Sequence, residues 1–224
     1  MILASDFDNT IYVEDKNQLQ ENIKYIKLWM RENIFVITTG RSYYSIYPLL
    51  VKNNIPYNYL ICNNGAMVFD ANNNIIESNP LPQDEIEKIK KIILENNLSY
   101  ILDKGMEYTT DFNIYPLMAI FIKRSSVKNP TKIIDELNKN TKTYHYLSKN
   151  YISIENINIR KDKSLEKIGN YLEIDKIHCI GDGLNDIDMI KKYNGGLMKN
   201  HEKELDVLEN KTYDSLSSYI KELI

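Results

Sequence analysis

The sequence predicts an α/β fold in which a mainly parallel sheet is interrupted by a smaller α+β segment. Three observations predict it. Up to Cys62, short apolar runs alternate with stretches of helical periodicity. From Pro80 to Glu155 the rhythm changes to paired strands with few helices. Beyond residue 156 the strand–helix alternation returns and continues to the end of the chain. Alternation of that kind belongs to parallel sheets covered on both faces, and paired strands with segregated helices belong to an antiparallel sheet covered on one. The core domain is therefore expected at residues 1–79 and 157–224, with an inserted α+β domain at 80–156.

Residues 2–5 form a short apolar run that ends on Asp6, as a buried parallel strand would. Leu19, Ile23, Ile26 and Met30 recur at helical spacing and predict a helix over 18–32 with one inward face. Residues 34–38 predict a second buried strand, followed by Gly40. A helix is expected over 42–53, where Pro48 is a complication unless it lies near the helix start. A third strand covers 59–62. Residues 66–70 and 75–77 flank Asn72-Asn73-Asn74, a hairpin with a polar turn. Pro80 and Pro82 mark a hinge.

In the inserted segment, Ile86, Ile89 and Ile93 give residues 83–96 one apolar helical face. Strands are expected at 98–102 and 106–110 around Lys104-Gly105, and again at 117–123. A helix over 130–140 carries Pro130 in its first turn, where proline is tolerated. Residues 141–147 and 151–155 make a last hairpin. Helices at 163–172, 185–193 and 216–223 and a strand at 176–180 complete the core.

Composition narrows the function classes. The 224 residues are 43% hydrophobic and 26% charged, enough for one sizeable core or for a core domain with a modest second domain. A net charge of −3 provides no basic field for nucleic acid. No apolar run is long enough to span a membrane, and residues 1–6 lack the features of a signal peptide, so the cytoplasm is the expected location. Cys62 and Cys179 sit in or beside apolar runs and are expected to be buried thiols, in neither a disulfide nor a zinc site. His145, His178 and His201 show no metal-ligand spacing. With 17 tyrosines in the chain, no single tyrosine cluster carries much weight.

Four local signals carry chemistry, and three of them end an expected buried strand, where open α/β sheets place their ligands. In Asp6-Phe7-Asp8-Asn9-Thr10, one carboxylate is placed to attack phosphorus and the other to move a proton. The same residues also fit a turn or helix-cap cluster. They do not fit a calcium loop, because Ile11 and Asn17 stand where its glycine and its bidentate glutamate belong. Thr38-Thr39-Gly40-Arg41 offers a hydroxyl and close backbone amides to an anion, or equally a helix cap. Lys163 falls in the first turn of an expected helix capped by Asp162, where the helix dipole disfavours a cation unless an anionic partner offsets it. A solvated lysine in a basic stretch is the other reading. In Gly181-Asp182-Gly183-Leu184-Asn185-Asp186, acidic oxygens on a loop at a strand end suit Mg²⁺, although an acidic first helical turn has the same composition.

These four elements, in this order, resemble the four motifs of the haloacid dehalogenase (HAD) superfamily. The first motif, Asp-x-Asp-x-Thr, stands at Asp6 to Thr10; the second, a strand-end hydroxyl, at Thr39; the third, a lysine, is best matched by Lys163; the fourth stands at Gly181 to Asp186. The Thr-Gly-Arg and Gly-Asp-Gly-x-Asn-Asp forms, with a cap between the second and third motifs, resemble the Cof-like sugar-phosphate phosphatases. Two places depart from the pattern. Asn9 replaces a common glycine, and Met198-Lys199-Asn200-His201 stands where Gly-Asn-Ala is frequent. Asn63-Asn64-Gly65 resembles an Asn-Gly-Ala element near the site of that subclass and also fits a plain Asn-Gly turn.

The resemblance implies a Rossmann-like parallel-sheet core with an inserted α+β cap of type IIB, and a phosphatase acting through an aspartyl-phosphate. Asp6 is then the nucleophile and Asp8 the acid and base. Mg²⁺ is held by Asp6, the Asp8 carbonyl and Asp182, with Asp186 adjacent or one layer behind. Thr39 and Lys163 donate to the phosphoryl oxygens, and Gly40, Arg41, Asn64, Asn185 and Asn200 are further phosphate or substrate contacts. Tyr108, Tyr115 and Arg124 are the expected cap contacts. The implied partner is a small phosphorylated metabolite, with no nucleic acid and no membrane, and the chain is a monomer or a dimer. The same residues would serve a phosphomutase, or a catalytically silent binding protein on this fold; Asp8 and the acidic fourth motif serve phosphoryl transfer rather than dehalogenation.

Overall fold

The computed structural model describes residues 1–148 and 150–224. The first half of the core runs β1 (Ile2–Asp6), α1 (Lys16–Trp29), β2 (Ile34–Thr38), α2 (Tyr43–Asn53), β3 (Tyr59–Cys62), β4 (Met67–Asp70) and β5 (Ile75–Ser78). The segment that follows holds α3 (Gln83–Glu95), β6 (Tyr100–Asp103), β7 (Tyr108–Thr109), β8 (Ala119–Lys123), α4 (Pro130–Asn140), β9 (Thr143–Leu147) and β10 (Tyr151–Asn156). The chain then returns through α5 (Lys161–Leu172), β11 (Ile177–Gly181), α6 (Ile187–Tyr193), β12 (Gly196–Met198), β13 (Thr212–Tyr213) and α7 (Leu216–Leu223).

Two sheets result. The larger has the order β13-β12-β11-β1-β2-β3-β4-β5, parallel from β13 to β3 and antiparallel at β4 and β5. All five residues of β1 are buried because helices cover both faces. Leu3 packs with Leu19, Ile23, Ile46 and Ile220 on one side. Ile2 and Ala4 pack with Leu165, Ile168, Met189 and Ile190 on the other. The chain winds from β1 toward β3 in one direction and returns on the far side of β1 through β11. The crevice at the carboxyl ends of β1, β2 and β11 is thus the switch point where such sheets bind ligands.

The smaller sheet, β7-β6-β8-β10-β9, is antiparallel throughout. Leu102, Ile120, Ile122, Ile152 and Ile154 form its apolar face and pack under Ile86, Ile89, Ile93, Ile133 and Leu137. Strand alternation sends the intervening residues to the opposite face. Register aligns those residues in two rows across the sheet. One is Asp103, Ala119, Glu155 and Tyr144, and the next is Ile101, Phe121, Ser153 and Tyr146. Both rows matter below.

Differences from the sequence expectations are local. Pro48 lies inside α2, six residues along, and is accommodated there without ending the helix. The strand expected at 106–110 shrinks to the two residues of β7, and the helix expected from 185 opens with a 3₁₀ turn at Leu184–Asp186. The short strands β12 and β13, three and two residues long, carry too little periodicity to be seen in sequence. Both cysteines are buried and free. Among the described residues no helix is long and apolar enough to cross a membrane.

Candidate active site

Strand ends bring the acidic residues together. Asp6 closes β1 and Asp182 follows β11, while Asp186 folds back through the 3₁₀ turn. Each of the three offers a carboxylate oxygen within 4.8 Å of the others, and all are buried. A β-carbon on Gly181 would come within 2.4 Å of the Asp186 carboxylate, so glycine is what admits it. Burial drives the Asp6 pKa well above the ordinary carboxylate range; Lys161 opposes the rise, and Asp186 and Asp182 add to it. Asp182 is pushed up to about 6, mainly by burial and next by Asp186. Converging carboxylates that resist ionising together are relieved by a cation. Hard oxygen donors of this kind suit a divalent metal ion.

One cation is already built in, and it is not the lysine expected from sequence. Lys161 Nζ lies 2.6 Å from Asp6 Oδ1 and 2.7 Å from Asp186 Oδ1, with all three side chains buried. Burial alone would lower its pKa, but Asp186 and Asp6 more than reverse that and hold it above the usual lysine range. Lys163 is exposed, and its Nζ donates to the Asn158 carbonyl at 3.3 Å. The reason is where the helix starts. α5 begins at Lys161, not after an Asp162 cap, and its buried residues are Lys161, Ser164, Leu165, Ile168 and Gly169. That spacing defines one helical face, and position 163 points away from it. The signal was present in the sequence as the 161–164–165–168 periodicity.

Asp186 spends its oxygens within the protein. Oδ1 takes Lys161, and Oδ2 accepts the amides of Asp182 and Gly183 at 3.2 and 3.1 Å. It therefore orients the loop and the lysine, leaving Asp6 and Asp182 the freer carboxylates. Asp182 is held in turn by Asn9 Nδ2 at 3.2 Å and Thr10 Oγ1 at 3.4 Å. Asn9 has φ 57°, a left-handed conformation that glycine and asparagine tolerate best, which accounts for the exchange at this position.

Asp8 is not with the other carboxylates. Arg41 grips it in a two-pronged ion pair, Nε to Oδ2 and Nη2 to Oδ1, both at 2.7 Å. The Asp8 hydrogen bond raises the Arg41 pKa further. Thr39 and Gly40 line the same cavity, and Thr39 Oγ1 accepts the Arg41 amide at 3.0 Å.

The Asn63-Asn64-Gly65 turn is more than a connector. Its three residues are buried and all have positive φ. Their amides lock onto the second motif, Asn63 N donating to Arg41 O and Asn64 N to Thr39 O, each at 2.9 Å. The side chains reach the smaller sheet. Asn63 Nδ2 donates to Asp103 at 2.8 Å and Asn64 Nδ2 to the two Glu155 oxygens at 3.0 and 3.2 Å. Asn185 Nδ2 completes the link, donating to Asn64 Oδ1 at 2.9 Å. Burial pushes Asp103 up to about 6 and Glu155 up to about 7, with the hydrogen bonds from Asn63 and Asn64 opposing. Sequence reasoning missed both carboxylates: Glu155 ends a strand whose residues alternate with Ile152 and Ile154 and looks like an ordinary solvent face, and Asp103 falls just past the expected strand, beside the Lys104-Gly105 turn. Asn64 thus faces this bridge, and the main cavity is lined by Asn185 instead.

The cavity above the carboxylates holds about 700 Å³. Its floor is Asp6, Asp8, Thr39, Arg41 and Asp182, and its roof comes from the smaller sheet, including Tyr108, Phe121 and Tyr151. Tyr115 and Arg124 are exposed and outside it, as is Asn200. The loop that carries Asn200 is pinned by His201, bonded to Met198 O at 2.6 Å and to Asp206 at 2.8 Å. It approaches the cavity through Glu202 instead.

A family model described as haloacid dehalogenase-like hydrolase matches the chain over residues 3–111 and 103–215. The chain belongs to the haloacid dehalogenase-like hydrolases. This hydrolase-family chain is 24% identical over 216 residues to the 5-amino-6-(5-phospho-D-ribitylamino)uracil phosphatase of Bacillus subtilis strain 168, covering 91% of this chain and 85% of that protein. Its fold is similar to a haloacid dehalogenase-like hydrolase from Bacteroides thetaiotaomicron, with TM-score 0.84, 19% identity, and coverage of 100% and 99% of the two chains. It is also similar to the HAD subclass IIB sugar phosphatase BT4131, with TM-score 0.80, 16% identity, and coverage of 99% and 98%.

Proposed function

We propose that the protein is a Mg²⁺-dependent phosphatase of small phosphorylated metabolites, sugar or polyol phosphates among them, working through a phosphorylated Asp6. The observation that carries this reading is Asp6 itself, a strand-end carboxylate beside Lys161, Asp182 and Asp186 at the floor of a ligand-sized cavity. Relatives named as phosphatases of a ribityl phosphate and of sugars support the substrate class.

Asp6 attacks phosphorus with a carboxylate oxygen, and the bond from phosphorus to the leaving oxygen breaks. Asp8 gives its proton to that oxygen, then takes a proton from water as the water attacks phosphorus and the bond to Asp6 breaks. In the resting geometry Arg41 occupies both Asp8 oxygens, so the first transfer requires the guanidinium to turn toward the substrate and Asp8 to take up a proton from solvent beforehand. Thr39, Gly40 and Lys161 sit around the nucleophile and supply donors to the phosphoryl oxygens, where charge spreads in the transition state. Lys161 takes the role expected for Lys163. Asp6, Asp182 and the Asp8 carbonyl would hold Mg²⁺, with Asp186 behind them; when bound, the ion screens the charge between the carboxylate and the phosphoryl group.

The test is phosphate release from a panel of sugar, polyol and acyl phosphates, paired with thermal unfolding with Mg²⁺ and with EDTA. Release should require Mg²⁺ and vanish in Asp6→Asn. Mg²⁺ at a hundred times its dissociation constant should stabilise the wild type by about 2.7 kcal/mol, and Asp182→Asn should lose that gain. Release that persists in Asp6→Asn would remove the nucleophile assignment.

A further inference from the structure

We infer that the roof of the cavity selects a phosphate ester whose leaving group carries a flat unsaturated ring, a heteroaromatic base for instance, beyond its sugar or polyol carbons. This rests on the phosphatase reading above and deepens it.

The argument begins with strand alternation. In β8, Ile120 and Ile122 are wholly buried under α3 and α4, so Phe121 between them faces the cavity, half-buried. A phenyl ring at that position is unneeded by the sheet's own core. Around it the register assembles an aromatic wall. Tyr151 stands 5.8 Å from the Phe121 ring, and Tyr108 stands 6.3 Å away, nearly edge-on at 83°. Ile101 is paired directly beside Phe121 on β6 and extends the apolar surface.

Two of the roof's tyrosines have already committed their hydroxyls. Tyr108 shares a hydrogen with Ser42 Oγ at 2.6 Å, and Tyr146 bonds Asn64 at 3.3 Å and Glu155 at 3.4 Å. What these side chains offer a ligand is therefore ring surface. Apart from the Tyr151 hydroxyl, the roof's polar lining among the described residues is Ser148, Asn150 and Ser153. A sugar alone would leave most of the wall uncovered, because its hydroxyls seek donors and acceptors. A planar ring covers the wall by stacking. Room is sufficient, since about 700 Å³ lies within the range that holds drug-sized ligands, about 300–1,000 Å³.

The experiment compares kcat/KM in Mg²⁺ for two matched pairs, uridine 5′-phosphate against ribose 5-phosphate and riboflavin 5′-phosphate against ribitol 5-phosphate. Acetyl phosphate, whose leaving group is only acetate and too small to reach the roof, reports the chemistry alone. Stacking of one base on an aromatic side chain is worth on the order of tenfold. At least one ring-bearing ester should therefore exceed its ringless partner about tenfold in the wild type. Phe121→Leu, which keeps most of the bulk, should bring that ratio close to one. The ratio is taken on a single preparation, so partial loss of folded protein cancels. Equal or better turnover of both ringless esters, a ratio unchanged in Phe121→Leu, or turnover of acetyl phosphate alone overturns the inference and leaves the phosphatase reading standing. No turnover of any of the five compounds overturns both.

Discussion

At the residue scale, two lysines two positions apart have opposite environments. Lys161 is buried between Asp6 and Asp186, and Lys163 lies in solvent. Removing one partner from a buried, hydrogen-bonded ion pair leaves uncompensated charge and costs roughly 3–5 kcal/mol, whereas an exposed lysine contributes little. Lys161→Met is therefore expected to lower the unfolding free energy by roughly that amount. If Lys161 donates to the phosphoryl group, kcat should also fall about a hundredfold or more. Lys163→Met should leave both within about 0.5 kcal/mol and twofold. Urea unfolding and phosphate release on the two variants check this, and the reverse ranking would return the role to Lys163. Asparagine recurs at this scale as well. Among the described residues, seven of the nine non-glycine residues with positive φ are Asn, including Asn9, Asn63 and Asn64 at the site. In a chain with only 8 glycines, asparagine takes left-handed positions and adds side-chain hydrogen bonds there.

At the scale of elements, the 63–65 turn after β3 is the joint that fixes the start of α5. Gly65 has φ 116°, and a β-carbon there would sit 2.7 Å from Ser164 Oγ and 2.9 Å from the Arg160 carbonyl. Ser164 and Arg160 flank Lys161, so any displacement of α5 at this contact moves the lysine off Asp6. Gly65→Ala is expected to cost about 1–3 kcal/mol through backbone strain. It should also reduce activity more than a stability loss of that size explains, because misplacing a catalytic group by about 1 Å is worth about a hundredfold. Activity measured well below the unfolding temperature separates the two effects. A variant as active as wild type under those conditions would show that the turn does not position Lys161.

At the scale of the whole molecule, the two sheets meet through buried carboxylates, and that joint makes stability depend on pH. Glu155 is raised to about 7 and Asp103 to about 6, both above their ordinary values, so the folded state binds protons that the unfolded state has released. Stability from this source is complete at acid pH, declines as pH rises through about 6 to 7, and is flat above. The urea midpoint in EDTA should therefore fall between pH 5.5 and pH 8, and fall less in Glu155→Gln, which keeps an acceptor for Asn64. Equal falls in the two proteins would sink this account. What the sequence determined by itself was whatever local order encodes. Apolar runs ending on Asp6, Thr38 and Gly181 set the strand ends, and the change of rhythm near Pro80 and after residue 156 matches the chain's passage to the second sheet and back. Those cues depend on neighbours within a few positions, where period and turn chemistry act. Tertiary structure alone decided which lysine meets Asp6, that Arg41 holds Asp8, and that Asp103 and Glu155 are buried against Asn63 and Asn64. Each of those pairs joins residues 33 or more positions apart, and such contacts exist only once the sheets have packed.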